Sequence, residues 1–336
     1  MSKKAPRNQP LGETVESPHT RMLLAAAASE FWTASEMIEA TPYPMPTVGP
    51  EESQLSESEE TLADEEGESI PGTLPESMTG GDGDSGDRND TTAGGNGYDY
   101  PAPFTRFAVP HAWYATYPYI TVGKVFFKQN GVSYVGSGAS IGNHAIWTAG
   151  HIVHQGNNSA TGWSTDMVFV PAYRDGLAPF GKWPVSYMRT RSNWFKFGNP
   201  NGLWDDMAGG VLHLLNGKKI SQVVGALGFA HSLGRLQHWN AIGYPQGAPF
   251  DGKILIDTQA SYAYDGSVAG DAKPVAIGCD MTGGCSGGPW VQGFGGKNVL
   301  NGNNSYRQNT RPLEMNSPYF DQRAKALYDE LLAAAP

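Results

Sequence analysis

A glycine-rich run around one serine is the feature that most restricts how this chain can fold. Residues 278–290 read Gly-Cys-Asp-Met-Thr-Gly-Gly-Cys-Ser-Gly-Gly-Pro-Trp, and the serine is Ser286. Because glycine has no Cβ, the backbone can turn sharply there and aim successive N–H groups at one point. The amides of Gly284 and Ser286 are placed to bind an oxyanion in such a turn. The alternative is a glycine-rich surface turn, which is common in proteins.

Two other segments give this run its context. Residues 145–151 read Ala-Ile-Trp-Thr-Ala-Gly-His, a strand pattern that ends in small residues and His151. Asp205 and Asp206 directly precede an apolar strand. A serine hydroxyl needs a base such as histidine to become a nucleophile, and the imidazole needs a carboxylate that fixes its tautomer. We predict His151 as the base and Asp206 as the carboxylate, with Asp205 as its competitor.

Two other nucleophile assignments compete with Ser286. Residues 284–288 also satisfy the G-x-S-x-G pattern of α/β-hydrolases, but that fold needs a histidine after the serine, and no histidine follows His238. Cys285 is the second competitor, but the glycine pattern is centred on the serine. We therefore retain Ser286 as the predicted nucleophile.

The three motifs, in this order, resemble those of the chymotrypsin-like serine peptidases, T-A-[AG]-H, D-[IM]-A and G-x-S-G-G-P. The run T-G-G-C-S-G is similar to the bacterial glutamyl-endopeptidase-like branch, and the resemblance covers residues 105–335. It implies two six-stranded antiparallel β-barrels with the site in the cleft between them. It also implies a C-terminal helix packed on the second barrel and hydrolysis of polypeptide substrates through an acyl-enzyme, without a cofactor.

The distribution of strands agrees with an all-β chain. From Tyr117 onward, short alternating or β-branched runs are separated by Gly, Asn and Pro turns, a pattern typical of antiparallel sheets. We predict a peptidase domain over residues 105–336, with barrel 1 over 116–215, barrel 2 over 216–310 and a helix over 317–335.

Charge separates this domain from the N-terminal region. The first 100 residues carry 20 acidic and 5 basic residues, whereas the remaining 236 carry 13 acidic and 18 basic ones. Residues 49–104 are predicted to be an acidic, Gly/Ser-rich, disordered linker. The modest positive balance of the rest gives no argument for nucleic-acid binding. Three histidines, His144, His151 and His154, lack Cys or carboxylate partners at ligand spacing, so no metal site is predicted.

Residues 1–48 resemble the pro-segments of actinobacterial-type relatives through Phe31-Trp32-Thr33 and Met37. The alternative is an ordinary amphipathic helix. A pro-segment that docks on the domain implies a zymogen, and the candidate cleavage positions lie at 51–68, Arg88 and Arg106. No stretch reaches the 18 apolar residues of a membrane span, and no clear signal peptide opens the chain. We predict a monomer that is secreted, as its family usually is, with a cytoplasmic location as the alternative.

Cysteine occurs only as Cys279 and Cys285. Their position on either side of the glycine turn favours a disulfide, and two small buried apolar residues are the alternative. Relatives usually have a further bridge at positions held here by Gly136 and Ile152. Cys285 also replaces the aspartate with which animal trypsins bind a newly freed N-terminus.

The residues that select the substrate side chain are the least clearly marked in the sequence. Asp280 stands where trypsins bind Arg or Lys side chains, although the glutamyl-endopeptidase branch also has an aspartate near this position. Thr282, Gly283, Asn303 and Asn304 are predicted to line the pocket walls. Glutamyl-specific relatives place a histidine in the later strand. Its absence here favours a substrate side chain that is not acidic.

The sequence therefore predicts a serine endopeptidase made as a zymogen. A catalytically inactive binding protein with the same fold remains the alternative from another functional class.

Overall fold

The computed structural model describes residues 13–18, 32–49, 102–266, 268, 270 and 272–335. Most of the predicted linker, residues 49–104, lies outside this part of the chain, as do the candidate cleavage positions at 51–68 and Arg88. The described N-terminal elements are β1 (Thr14–Glu16), helix α1 (Ala34–Glu39), β2 (Thr41–Pro42), β3 (Thr47–Val48) and β4 (Phe104–Ala108).

Six antiparallel strands form a closed barrel in the first half of the domain. They are β5 (Val122–Gln129), β6 (Val132–Gly142), β7 (Ala145–Thr148), β8 (Thr165–Pro171), β9 (Trp183–Arg191) and β10 (Ala208–Leu212). The order is β9-β10-β7-β6-β5-β8, and pairing of β8 with β9 closes it. Asn130 and Gly131, both with positive φ, form the two-residue turn between β5 and β6. An Asn-Gly turn of this kind matches the twist of the two strands that it joins.

The second half forms a larger, mostly antiparallel sheet. Its strands are β11 (Gly228–Phe229), β12 (His238–Gly243), β13 (Ile256–Asp265), β14 (Val275–Gly278), β15 (Pro289–Gln292), β16 (Val299–Asn303), β17 (Tyr306–Gln308) and β18 (Arg311–Ser317). The order is β11-β16-β15-β12-β13-β14-β18-β17, to which β3 and β4 are added. The pairs β11–β16 and β3–β17 are parallel. Only Asn304 and Ser305 separate β16 from β17, so the chain passes directly from one side of this sheet to the other. The all-β prediction is confirmed, with ten strands in the second sheet.

Four further helices connect or cover the sheets. They are α2 (Gly150–Val153), α3 (Ser192–Asn201, interrupted at Gly198 and Asn199), α4 (Ile220–Val224) and α5 (Gln322–Ala333). None of the helices in the described ranges is long and apolar enough to cross a membrane.

The C-terminal helix α5 was predicted correctly, and it packs against the first barrel as well as the second sheet. Asp321 caps it, and Leu327 and Leu331 are buried. The helix contacts β9 and β10 of the first barrel, and its Tyr328 stacks on Phe229 of β11 in the second sheet, with ring centroids 4.2 Å apart. Gly209 on β10 permits the contact with the first barrel, because a Cβ there would lie 2.3 Å from the Leu331 side chain. The missing side chain on β10 therefore allows the helix to lie close to the first barrel.

An apolar cluster holds the two sheets together. It includes Trp147 of β7, Ile242 of β12, Val291 of β15 and Leu331 of α5, all nearly inaccessible to solvent. Burial of such large side chains on both sides fixes the relative position of the two sheets. The ends of β7, β10 and the β14–β15 turn meet at this junction, where the predicted site lies.

Candidate active site

The turn that carries Ser286 connects β14 to β15 and packs against the ends of β7 and β12. A Cβ on Gly287, whose φ is +81°, would lie 2.1 Å from Thr148 Oγ1. A Cβ on Gly288 would lie 2.0 Å from the Ile242 carbonyl oxygen. These glycines allow the serine loop to approach the segment that leads into His151.

His151 and Asp206 are joined by two hydrogen bonds. His151 lies in α2, just after β7, and its Nδ1 is 2.7 Å from Asp206 Oδ2. The His151 backbone N–H donates to Asp206 Oδ1 over 2.8 Å. Because an ionised carboxylate only accepts hydrogen bonds, Nδ1 carries the proton and Nε2 is the basic nitrogen.

A second hydroxyl, that of Ser305, also binds this carboxylate. Ser305 lies between β16 and β17, and its Oγ donates to Asp206 Oδ2 over 2.6 Å. The second sheet thus helps to orient a carboxylate that follows the first barrel. The sequence analysis did not assign this role, although Ser305 directly follows the predicted pocket residues Asn303 and Asn304.

Asp205, the competitor of Asp206, has different partners. Its Oδ1 lies 3.4 Å from Arg191 Nε and 3.5 Å from Arg323 Nη1, and Asn193 donates to its Oδ2. Burial raises the pKa of Asp205, and the two arginines oppose that rise. Asp205 therefore anchors the loop to β9 and to α5, and Asp206 is the carboxylate that contacts His151.

The two atoms predicted to exchange a proton, His151 Nε2 and Ser286 Oγ, have no hydrogen-bond partner among the described residues, so the expected hydrogen bond between them is not formed. Both are buried. Unpartnered buried polar atoms are uncommon in folded proteins and are frequent where chemistry takes place.

The backbone of the serine loop presents two free amides. The Gly283 carbonyl accepts from the N–H groups of Gln246 and Gly247, and the Cys285 carbonyl accepts from Gly288 N–H. Across a trans peptide, C=O and N–H point in opposite directions. The N–H groups that follow these carbonyls, those of residues 284 and 286, therefore point away from the loop's own partners. Neither donates a hydrogen bond within the described ranges.

Comparison with known proteins places this geometry in a family. Neither the models of protein families nor the curated protein sequences contain a match. Among solved structures, the protease Anisep from Arthrobacter nicotinovorans is 32% identical, with a TM-score of 0.58 over 64% of this chain and 96% of its own. The chain belongs to the chymotrypsin-like serine proteases.

Two further structures are similar to this chymotrypsin-like chain. The thermostable serine protease AL20 from an extremophilic microorganism is 33% identical, with a TM-score of 0.59 over 64% of this chain and 98% of its own. A Glu endopeptidase in complex with MPD is 17% identical, with a TM-score of 0.54 over 70% of this chain and 98% of its own. At that lower identity the likeness concerns the fold alone.

The disulfide expected in this chymotrypsin-like chain is wrong. Cys279 and Cys285 are free, buried thiols in an apolar cluster with Trp239, Met281 and Trp290. Packing against these large side chains stabilises both cysteines as small apolar residues. The family's other bridge is replaced by packing as well, because a Cβ on Gly136 would lie 2.7 Å from the side chain of Ile152.

The residues predicted to line the specificity pocket have diverse partners. Asp280 forms an ion pair with Arg106 of β4, with 2.7 Å between Oδ2 and Nη1. Thr282 Oγ1 donates to the Gly247 carbonyl. Gly283 lies against the N-terminal region, since a Cβ on it would be 3.1 Å from the Tyr43 carbonyl oxygen.

The two predicted asparagines contact the scaffold. Asn303 Oδ1 accepts from Trp147 Nε1, and Asn304 Oδ1 accepts from Trp290 Nε1. Asn304 Nδ2 also donates to the Cys285 carbonyl. The Asn304 side chain thus braces the serine loop, whereas Asn303 links β16 to β7 and to the carbonyl of Asp206.

Residues 40–48 of the N-terminal region lie along the cleft of the protease. Strand β2 pairs with β6 of the first barrel, and β3 pairs with β17 of the second sheet, both in parallel. Tyr43 N–H donates to the Val135 carbonyl, and Arg307 N–H donates to the Pro46 carbonyl. Gln246 Nε2 donates to the Ala40 carbonyl over 2.7 Å. This cleft-crossing segment therefore contacts both halves of the protease.

Tyr43 covers the imidazole of His151. The two rings are stacked, with centroids 5.7 Å apart and planes inclined by 24°. Tyr43 also packs against Phe127 and, edge to face, against Tyr134. Burial raises the pKa of Tyr43 to about 12, so the phenol is neutral at physiological pH. The sequence analysis proposed a docked pro-segment but assigned no role to Tyr43.

Proposed function

We propose that this chain is a serine endopeptidase in which Ser286, His151 and Asp206 form the catalytic triad. His151 Nε2 takes the proton of Ser286 Oγ while Oγ bonds to the carbonyl carbon of the scissile peptide. The same nitrogen then gives that proton to the leaving amine as the C–N bond breaks. Water, activated by His151, releases the acyl group from Oγ.

The amides of Gly284 and Ser286 complete the proposed mechanism. They would donate to the oxyanion that develops on the carbonyl oxygen, and preorganised donors of this kind stabilise the transition state more than the substrate. Asp206 holds the imidazole and offsets the charge of the imidazolium. Every step uses groups of the protein and water.

One observation carries the proposal: Asp206 fixes the proton of His151 on Nδ1, which leaves Nε2 basic and without a partner in a cleft that also holds an unpartnered serine hydroxyl. An inactive binding protein would gain nothing from leaving both polar atoms buried and unpaired, since each such atom costs stability.

A fluorophosphonate probe tests the proposed nucleophile. The expected result is covalent labelling of the activated protein on Ser286, detected by mass spectrometry, and its loss in Ser286→Ala. Ser261→Ala, which removes an exposed serine of β13, is the matched control and should label normally. If Ser286→Ala labels like the parent protein, or if the activated parent does not label, the proposal is wrong and the inactive binding protein is favoured.

We also infer that residues 1–48 keep the enzyme latent. With the cleft-crossing segment in place, the side chains of Ser286 and His151 are 0% and 2% exposed, so a substrate cannot reach them. Added strands hold the segment by main-chain hydrogen bonds, a mode of peptide binding that depends little on side chains. In this proposal residues 49–104 connect a pro-segment to a peptidase domain of residues 105–336.

A further inference from the structure

A buried lysine of the first barrel holds one end of a glutamine side chain at the cleft. Lys124 of β5 is 2% exposed, and its Nζ donates to Gln246 Oε1 over 2.8 Å and to the Gly252 carbonyl over 2.9 Å. Gly252 leaves room for this contact, because a Cβ on it would lie 2.3 Å from Gln246 Oε1. The lysine therefore links β5 to the loop after β12.

Lys124 fixes the direction in which the Gln246 amide faces. A lysine ammonium only donates hydrogen bonds, so the atom beside it is the oxygen Oε1, and the nitrogen Nε2 faces away from it. Burial lowers the pKa of Lys124 to about 7, and the charge of Asp251 opposes that fall. Even the neutral amine keeps two N–H groups, which are enough for its two acceptors. The amide is thus held in the same way in either charge state.

The amide nitrogen of Gln246 has its partner in the cleft-crossing segment. Gln246 Nε2 donates to the Ala40 carbonyl over 2.7 Å, and no other acceptor binds it within the described ranges. Once the segment leaves, this donor stays oriented but has no partner. A preorganised donor of this kind favours a ligand that brings the missing acceptor.

Gln246 lies directly beside the proposed oxyanion site. Its backbone N–H donates to the Gly283 carbonyl over 2.7 Å. A Cβ on Gly284 would lie 3.2 Å from Gln246 Cβ. A chain that places a carbonyl group in the oxyanion site therefore passes close to the glutamine.

The cleft-crossing segment shows the order of contacts along the cleft. Its Ala40 carbonyl accepts from Gln246, and its Pro46 carbonyl accepts from the backbone of β17. Tyr43, midway between them along the chain, covers the proposed base. An extended chain advances by about 3.3 Å per residue, so the glutamine lies roughly two or three residues from the catalytic centre.

The Gln246 end of the cleft is expected to hold the leaving group. Asn303 and Asn304, which the sequence predicts to line the specificity pocket, lead directly into β17. The substrate residue before the scissile bond is therefore expected at the β17 end, and the residues after it extend towards Gln246. Such a substrate runs opposite to the cleft-crossing segment, but an extended chain presents carbonyl groups to its flanks in either direction.

We propose that Gln246 binds a backbone carbonyl of the substrate on the leaving-group side, roughly two or three residues after the scissile bond, and that Lys124 positions its amide for this contact. This proposal rests on the proposed function. Because every polypeptide carries backbone carbonyls, the contact selects for chain length after the scissile bond and for no particular side chain. It favours cleavage within a chain over removal of a single C-terminal residue.

Peptides of increasing length after the scissile bond test this contact. The full-length chain, cut in its linker, diluted and titrated with the fluorophosphonate probe, is the enzyme. The peptides copy one casein sequence that this enzyme cleaves and carry one to four residues after the scissile bond. We expect kcat/KM to rise by about 3- to 10-fold at the length that first reaches Gln246, as one neutral hydrogen bond provides.

Gln246→Glu separates the substrate contact from the anchoring of the loop. A glutamate keeps an oxygen for Lys124 but has no N–H to donate, so the rise of kcat/KM with length should disappear. Lys124→Met should reduce the rise, because the amide is no longer held. Gln237→Glu, the same change just before β12 and at the opposite end of that strand, is the matched control and should keep the parent's rise.

The possible results distinguish this proposal from the proposed function. If kcat/KM of the parent does not rise with length after the scissile bond, or if the rise persists in Gln246→Glu, the contact is overturned and the proposed function stands. A rise that Lys124→Met leaves unchanged would overturn the positioning role of the lysine. Absence of labelling after the cut would overturn the proposed function and this proposal with it.

Discussion

The proposed oxyanion site depends on the orientation of single peptide groups. The Gly283 carbonyl is held by two N–H groups of the loop after β12, so the amide of Gly284 must face the opposite way. Gly284 has φ of +100°, which disfavours any residue with a side chain. One residue's conformation therefore controls a donor that the chemistry needs.

Gly284→Ala should disable this donor. Its φ is unfavourable for alanine, and the new Cβ would lie 2.7 Å from the Tyr244 carbonyl oxygen, so the peptide must shift. Loss of one oxyanion donor typically lowers kcat by about 10²- to 10³-fold. Steady-state kinetics of the activated enzyme measures this. The control is Gly234→Ala, where a Cβ would meet nothing within 4 Å. Equal kcat values for the two variants would contradict the role of Gly284.

How well single residues are predicted depends on whether their role has a local cause. His151 and Ser286 are recognisable because small residues must flank them for the chain to bend there. Ser305 has no such neighbours. Its role arises from its position between β16 and β17, opposite a carboxylate distant in sequence, which alternation of residue types does not reveal.

At the scale of secondary-structure elements, strand β13 carries a buried carboxylate, that of Asp257. Asp257 accepts hydrogen bonds from Tyr119 and from Asn240 of β12. Burial raises its pKa from 3.8 to about 6, although these hydrogen bonds oppose the rise. The folded protein therefore favours the protonated carboxyl. The contribution of this group to folding stability is fully present below its pKa in the unfolded chain, and it is lost as the pH rises through about 6.

Asp257→Asn should remove this pH dependence. Between pH 4 and 7, ionisation of Asp257 should lower the free energy of unfolding of the parent by up to about 3 kcal/mol. The decrease should be smaller in the variant, which has no carboxyl group at this position. Urea unfolding of the full chain at several pH values measures the difference. Asp329→Asn, which alters an exposed helix residue, is the control. Parallel stability curves for the parent and Asp257→Asn would contradict the assignment.

Elements with local signals were predicted best. The Asn130-Gly131 turn and the alternating strands on either side of it are set by neighbouring residues. The contact of α5 with the first barrel was missed because it depends on the absence of a side chain at Gly209, on another element. Addition of β3 and β4 to the second sheet is likewise a long-range pairing.

At the scale of the whole molecule, the N-terminal region is attached at several separate places. Strand β1 pairs with β9, Trp32 is buried against Phe126, and residues 41–48 pair with both halves of the domain. Contacts linked along one chain reinforce each other, because release at one place leaves the others bound. A cut in the linker alone therefore leaves the proposed inhibitor seated.

Latency can be tested with a specific protease site inserted at Gly80–Gly81. The intact chain should label slowly with the fluorophosphonate probe, and the cut chain should label faster as it is diluted, because the two pieces then separate. In the intact chain, Tyr43→Ala should speed labelling because it uncovers His151. Ile38→Ala, at an exposed position of α1, is the control. An intact chain that labels as fast as the diluted, cut chain would contradict latency.

Trp32 gives this region an optical property of its own. Its indole is 1% exposed, and Nε1 donates to the Asp166 carbonyl over 2.9 Å. Departure of the N-terminal region would move this chromophore from an apolar contact into water, so its emission would shift to longer wavelength. The molecule thus carries its own reporter of activation, readable in real time before any substrate is cleaved.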